Sequence, residues 1–398
     1  MTATLLALTA CYPPSSITIT GRGYGHGRGM GQWGAYGYAV DHGWSGTQIL
    51  QHFYGGTTMP RLASSPRQQV YLTGSTGLEV LVANGLGRLH TSIDGYAGEY
   101  PALRIRYVDS THFQVYSGPG CGGPWTAFPS TTTGSTVRVK GAGGDATEDP
   151  RAMIQRCGYG FTRYYRGDML AIHARDSIVT VNDVDTESLV RSVIPREVSP
   201  SWADAGGGRG AAAVRAQAVA ARSYAIAGDT RWAGYATTCD SVSCQVYAGY
   251  GTRTAGSSTI VKVEDPRTDL ATSSTARQIR MASTGRVART EFSASTGGWS
   301  AGGEFPAVRD DGDDTAPNSN HTWSVSFSRS SFEAAFDRFH GGDVGTYEGT
   351  DIVARNGLGA DGGRVLTLRA RFTNVDVTLS GDQLRSLLGL RSNWFSVT

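Results

Sequence analysis

The sequence predicts an α+β protein, and three observations carry that expectation. Short runs rich in β-branched and aromatic residues recur from Gln69 to Lys140, separated by Gly, Ser and Pro turns. From about Ala171 the pattern changes, and Ala211–Ala227 is a long alanine-rich stretch closed by Gly228. The 398 residues leave room for two or three domains that each bury a core.

Composition narrows the function classes. Apolar residues are 39% and charged residues 18% of the chain, too apolar and too lightly charged for a disordered protein. Lys plus Arg against Asp plus Glu is 36 − 34 = +2, which excludes the broad basic face of a non-specific nucleic-acid binder. No apolar run approaches the roughly 20 residues of a membrane-spanning helix.

Met1–Cys11 is short, apolar and small at its end, like the tail of a secretion signal, yet no Lys or Arg precedes it. Residues 1–16 are therefore expected to be a residual leader or a disordered N-terminus, and Leu8-Thr9-Ala10-Cys11 resembles a lipoprotein cleavage box that would anchor the chain at Cys11. The expected location is secreted or attached to the cell envelope. Cys121, Cys157, Cys239 and Cys244 then form an even set suited to two disulfides. Of the three pairings, 121 with 157 and 239 with 244 close the shortest loops and are the expected ones. Zinc at Cys239 and Cys244 would need two further ligands, and no histidine lies between His173 and His321, so no metal is expected.

The elements follow in order. Residues 17–60 carry a glycine-rich segment from Gly21 to Ala35, bare enough for close backbone approach, followed by helical stretches at Tyr36–His42 and Gln48–Phe53. Its glycines lack the strand, helix and acidic residue of a dinucleotide fingerprint. Residues 61–175 form a β-rich insert with strands at Gln69–Thr73, Leu78–Ala83, Leu103–Tyr107, Phe113–Tyr116 and Thr136–Lys140, structural or carbohydrate-facing in role. Residues 176–398 form the core. A strand at Ser177–Asn182 leads to a helix whose apolar face is Leu189, Val190, Val193 and Ile194, and Pro195 is expected to stop it, with Glu197 at the turn. Gly206–Gly210 is a flexible loop, Glu291–Ser295 a strand, and Val365–Val397 a C-terminal unit. Asp310–Asp314 lacks the Glu that closes an EF-hand loop and is expected to be a solvated acidic loop.

Four blocks carry a resemblance: Val193-Ile-Pro-Arg-Glu197-Val with Trp202, Val214-Arg-Ala-Gln217-Ala-Val-Ala-Ala-Arg222-Ser-Tyr224-Ala, Cys244-Gln245-Val-Tyr247-Ala-Gly249, and Phe292-Ser-Ala-Ser295-Thr-Gly297-Gly298. In order and spacing they closely resemble the SpoIID/LytB family, over residues about 176 to 330. The resemblance implies a SpoIID-like catalytic core with a substrate cleft. Val377–Phe395 resembles the end of the family domain, whereas Gly23–Ala35, with its His26-Gly-Arg-Gly-Met30-Gly-Gln32-Trp-Gly-Ala35, resembles the segment that usually follows it. The chain therefore looks circularly permuted, and a strand at Ile17–Thr20 is expected beside Trp394–Val397.

The family's sporulation members are lytic transglycosylases of peptidoglycan, so the resemblance implies cleavage between N-acetylmuramic acid and N-acetylglucosamine with the muramyl C6 hydroxyl as nucleophile. Such a reaction needs one acid/base group where ordinary glycosidases use two carboxylates. Glu197 matches the family's proposed catalytic glutamate. It has to be raised toward neutrality by an apolar wall, for which Ile194, Val198 and Trp202 are candidates, while Arg196 has to project away. By the same resemblance, Gln217, Arg222, Ser223, Tyr224, Gln245, Tyr247, Ser293, Ser295, Gly297, Gly298, His26 and Gln32 are candidates for binding substrate, with Arg222 equally suited to bracing the Glu197 loop. Peptidoglycan strands are the implied partner, stripped of stem peptides by analogy with the sporulation members, and no cofactor is implied. A different reading is a non-catalytic amidase enhancer that holds wall or a cell-wall amidase; a third, an envelope scaffold, has no motif of its own.

Overall fold

The computed structural model describes residues 15–74, 77–81, 89–91, 98–129, 132–174, 176–228 and 234–398. Cys11, the leader-like segment and the last part of the strand expected at Leu78–Ala83 lie outside the described residues. The architecture mixes helices with several mostly antiparallel sheets, as an α+β chain requires. The chain divides into a continuous unit, Gly43–Glu291, and a discontinuous one made of residues up to His42 and from Phe292 onward. These boundaries differ from those expected at 60/61 and 175/176. Strand Ser177–Asp185 pairs on one side with Asp168–Ala174 and on the other with Arg67–Tyr71, which knits the β-rich region to the helices that follow it.

In the continuous unit, residues 78–81, 102–109, 112–118, 154–158, 161–165, 251–254 and 261–262 contribute to one sheet and residues 67–71, 136–140, 168–174 and 177–185 to another. The strands expected at 103–107, 113–116 and 136–140 are present, the last with the same bounds. Both expected disulfides form, with Cα separations of 5.9 Å for Cys121–Cys157 and 5.5 Å for Cys239–Cys244.

Among the described residues four α-helices complete this unit: Gly46–Phe53, Thr186–Glu197, Ala211–Ala227 and Pro266–Ser274. Alanine lets Ala211–Ala227 pack closely against Thr186–Glu197 and Gly46–Phe53, and Ala216, Ala218, Ala220 and Ala221 are fully buried. Pro195 does not stop its helix as expected. The helix runs through it to Glu197, and the Val198 amide still reaches the Ile194 carbonyl at 2.9 Å, so the missing proline N–H falls within a final turn that closes without it.

The discontinuous unit has its core in Ile17, Ile19, Phe332, Phe336, Leu368, Phe372 and Phe395. Strand Ser16–Arg22 lies between Thr322–Ser328 and Phe395–Val397, with Ile19 opposite Val397 and Thr20 opposite Ser396. The sequence expectation that Ile17–Thr20 borders Trp394–Val397 is met. A second sheet joins Tyr347–Arg355, Val365–Phe372 and Asp376–Ser380, and helix Gln32–Val40 follows the glycine-rich segment. The strand expected at Glu291–Ser295 is reduced to Phe292–Ser293, paired in parallel with Met30–Gly31.

The expected solvated loop at Asp310–Asp314 is a correction. Asp311 and Asp314 are exposed, but Asp310 and Asp313 are buried at 1% and 0% exposure. Gly31 and Gly34 make this possible, because an added Cβ at either would overlap the Asp310 carboxylate.

Candidate active site

Helix Thr186–Glu197 positions the first group. Asp185 caps its start, its Oδ1 accepting from the Glu187 amide at 2.8 Å and the Ser188 amide at 3.1 Å. Glu197 is the last helical residue and is half-buried, and its Oε1 accepts from the Val246 amide at 3.1 Å. Ile194 and Val198, on either side in sequence, are buried. Arg196 is exposed and makes no ion pair among the described residues. Trp202 follows in the single turn Pro200–Asp204.

The segment carrying Val246 is anchored at several points. Ala248 donates its amide to Ser192 Oγ at 3.2 Å, and Gln245 Nε2 donates to the Ala221 carbonyl at 3.2 Å. Tyr247 is buried and donates its hydroxyl to Asn182 Oδ1, whose own amide nitrogen donates to the Arg166 and Asp168 carbonyls. Burial raises the Tyr247 phenol well above the ordinary tyrosine range, so it stays neutral. Ser192 and Asn182 were not singled out from the sequence. Their role depends on contacts between residues far apart in the chain, and neither carries a local signal.

Helix Ala211–Ala227 presents two kinds of candidate. Arg222 is fully buried and binds Glu187 with Nε at 2.9 Å and Nη2 at 2.7 Å, while its other donors reach the Ala218, Gln278 and Thr272 carbonyls. Ser223 is also fully buried, donating to the Val219 carbonyl and accepting from the Arg280 amide. Tyr224 is half-exposed, and Arg289 both donates to its hydroxyl at 2.9 Å and lies 4.8 Å from its ring centre. Gln217 sits one turn from Ala221 on the face that Gln245 reaches; it is buried, and neither end of its amide has a partner among the described residues.

The remaining candidates lie in the discontinuous unit. Ser295 Oγ donates to Asp313 Oδ2 at 2.8 Å, the Thr296 amide to Oδ1 at 3.0 Å and the Gly297 amide to Oδ2 at 3.0 Å. His321 Nδ1 lies 2.9 Å from the same Oδ2, and Thr296 Oγ1 donates to Asp310 at 2.6 Å. Burial, reinforced by the neighbouring Asp313, raises Asp310 well above the ordinary carboxylate range. Gly298 donates its amide to Thr296 Oγ1, and Ser293 Oγ is buried without a partner among the described residues. His26 Nδ1 accepts from the Arg28 amide at 3.0 Å, and Gln32 is a buried residue opening the helix Gln32–Val40. Ser295 and Gly297 thus serve a buried carboxylate that the sequence did not reveal.

The family model of SpoIID, the stage II sporulation protein, matches residues 174–281. The SpoIID match contains Glu197, Gln217, Arg222, Tyr224, Gln245 and Tyr247, and it lies within the continuous unit. It points to a cell-wall-related role in sporulation. An uncharacterized protein of Brachyspira hyodysenteriae is 39% identical over 62 residues, 16% of this chain and 15% of that protein's length. No solved structure matches. Among the described residues no helix is long and apolar enough to cross a membrane, and the two disulfides are compatible with an extracellular location.

Proposed function

We propose that the protein is an exported peptidoglycan lytic transglycosylase, with Glu197 as its single acid and base. The observation that carries the reading is the placement of Glu197: half-buried at the end of a helix, beside buried Ile194 and Val198, with one carboxylate oxygen oriented by the Val246 amide. The reaction starts from the protonated carboxyl. In the first half of the reaction Glu197 gives its proton to the glycosidic oxygen, and the bond from that oxygen to muramyl C1 breaks. In the second, the Glu197 carboxylate takes the proton of the muramyl C6 hydroxyl as O6 bonds to C1, which closes the 1,6-anhydro ring and restores the acid. Water is not consumed.

Under this reading Arg222 is a positioning residue. It neutralises Glu187 at the start of the helix that ends in Glu197, and the donors described above are spent on protein atoms. Gln217, Tyr224 and Gln245 remain the substrate-side candidates of this unit, and Tyr247 holds the Val246 segment from behind. The strand pairing that brings residues 16–22 and 395–397 together supports the permuted order of the family's parts.

The test is direct. Peptide-free glycan strands incubated with wild type should yield fragments ending in anhydro-muramic acid by mass spectrometry, and Glu197→Gln should lower their rate by about 100-fold or more with unchanged melting temperature. Reducing-end products would mean hydrolysis instead. Wall binding without any cleavage would favour the amidase-enhancer reading.

A further inference from the structure

We infer that the discontinuous unit carries a second binding site, one for an anionic saccharide, a sugar bearing a carboxylate or a phosphate. A groove of about 610 Å³ is lined there by Tyr24, Asn320, Arg385, Ser386, Leu390 and Arg391. Two guanidinium groups in one groove repel each other unless an anion joins them, and the planar fork of arginine matches an oxyanion.

Neither arginine pairs with a carboxylate among the described residues. Arg385 is half-buried and makes no hydrogen bond or ion pair among the described residues. Asp382, one turn earlier on helix Gly381–Leu388, forms no ion pair with it. Arg391 is exposed and is oriented through one nitrogen, Nη1, which donates to the Ser319 carbonyl at 2.9 Å and to Asn320 Oδ1 at 2.8 Å. Its Nε and Nη2 have no partner among the described residues. This contrasts with Arg369 of the same unit, which pairs with Asp351 at 2.8 Å.

A bland role for Arg385 is to complement the C-terminal end of its helix. The Arg385 carbonyl, however, is already capped by the Gly389 and Leu390 amides, so the side chain is not needed to satisfy it. The groove also offers a flat apolar face. Tyr24 is 47% exposed, and its main chain is fixed by reciprocal hydrogen bonds to Ser295 of 2.9 and 3.1 Å. An exposed ring on an anchored main chain, beside cations and a hydroxyl, suits a pyranose that carries an acid group.

The experiment titrates the full chain at low salt with N-acetylmuramic acid, N-acetylglucosamine 6-phosphate and neutral N-acetylglucosamine, followed by calorimetry. At least one acid sugar should bind about tenfold or more tightly than the neutral one, as expected for charge-assisted hydrogen bonds. Whichever acid binds more tightly identifies a carboxylate or a phosphate as the natural group. Arg385→Gln should erase the preference, and Arg391→Gln should reduce it. Equal binding of all three sugars, no binding, or a preference intact in both variants overturns the inference. Loss of the preference in the two variants assigns it to this groove and not to the Glu197 site, and because the readout is binding, it is independent of whether Glu197 cleaves glycan.

Discussion

The two units bury charge in different ways. In Gly43–Glu291, buried or half-buried carboxylates meet guanidinium groups: Arg222 holds Glu187, and Arg166 and Arg191 hold Glu264 at 2.7 and 3.0 Å, with Arg191 reaching on to Asp269 at 2.8 Å. In the other unit, Asp313 is held by two amides, a hydroxyl and an imidazole, and Asp310 by a threonine hydroxyl. No guanidinium pairs with either aspartate among the described residues. The lesson is that burial alone does not decide protonation. Burial raises Glu264 above the ordinary carboxylate range although Arg166 and Arg191 oppose the shift, whereas Asp310, with no guanidinium to oppose it, is raised well above that range.

The comparison can be broken first at Arg222. Replacing it with alanine strands Glu187, and urea unfolding should report a loss of about 3–5 kcal/mol; the double variant Arg222→Met, Glu187→Gln should recover much of it. A loss below about 1 kcal/mol would show that the pair is not what secures the helix. The disulfides brace the same unit. By loop length, Cys121→Ser with Cys157→Ser should cost about 4 kcal/mol and Cys239→Ser with Cys244→Ser about 2 kcal/mol in the same measurement, and a reversed order would contradict the chain-entropy account. In the other unit, Gly34→Ala drives a methyl into the Asp310 carboxylate and should cost about 1–3 kcal/mol. The smallest effect sharpens the contrast most. Because the folded Asp310 binds its proton more tightly than an unfolded aspartate, its favourable contribution is present at acid pH and fades as pH rises through the raised value. Asp310→Asn, a permanent mimic of the protonated side chain, should therefore gain in melting temperature relative to wild type between pH 4 and pH 8, and parallel curves would refute the assignment.

Local chemistry was legible where it was self-contained. Ala211–Ala227 has the bounds its alanine run and Gly228 imply, and Thr136–Lys140 those of its alternation. Glu197 was found through its resemblance to a family, and the family model covers it. The Val246 amide that orients it was not legible, since it approaches from 49 positions away. Pro195 misled because a proline in a last turn forfeits little. Asp310 and Asp313 misled because four aspartates in five residues look solvated, and nothing in the sequence shows that Gly31 and Gly34 open a place for one of them. The split into units was hidden for a similar reason, as strand pairing across residues 67–185 is a property of register and not of composition.

Strand Ser16–Arg22, flanked by Thr322–Ser328 and Phe395–Val397, also sets a timetable for synthesis. A ribosome delivers the strand early and both of its neighbours late, so Gly43–Glu291 can fold while the segment that precedes it waits for a sheet. Until those later strands emerge, Ile17 and Ile19 lack the neighbours that bury them in the folded protein.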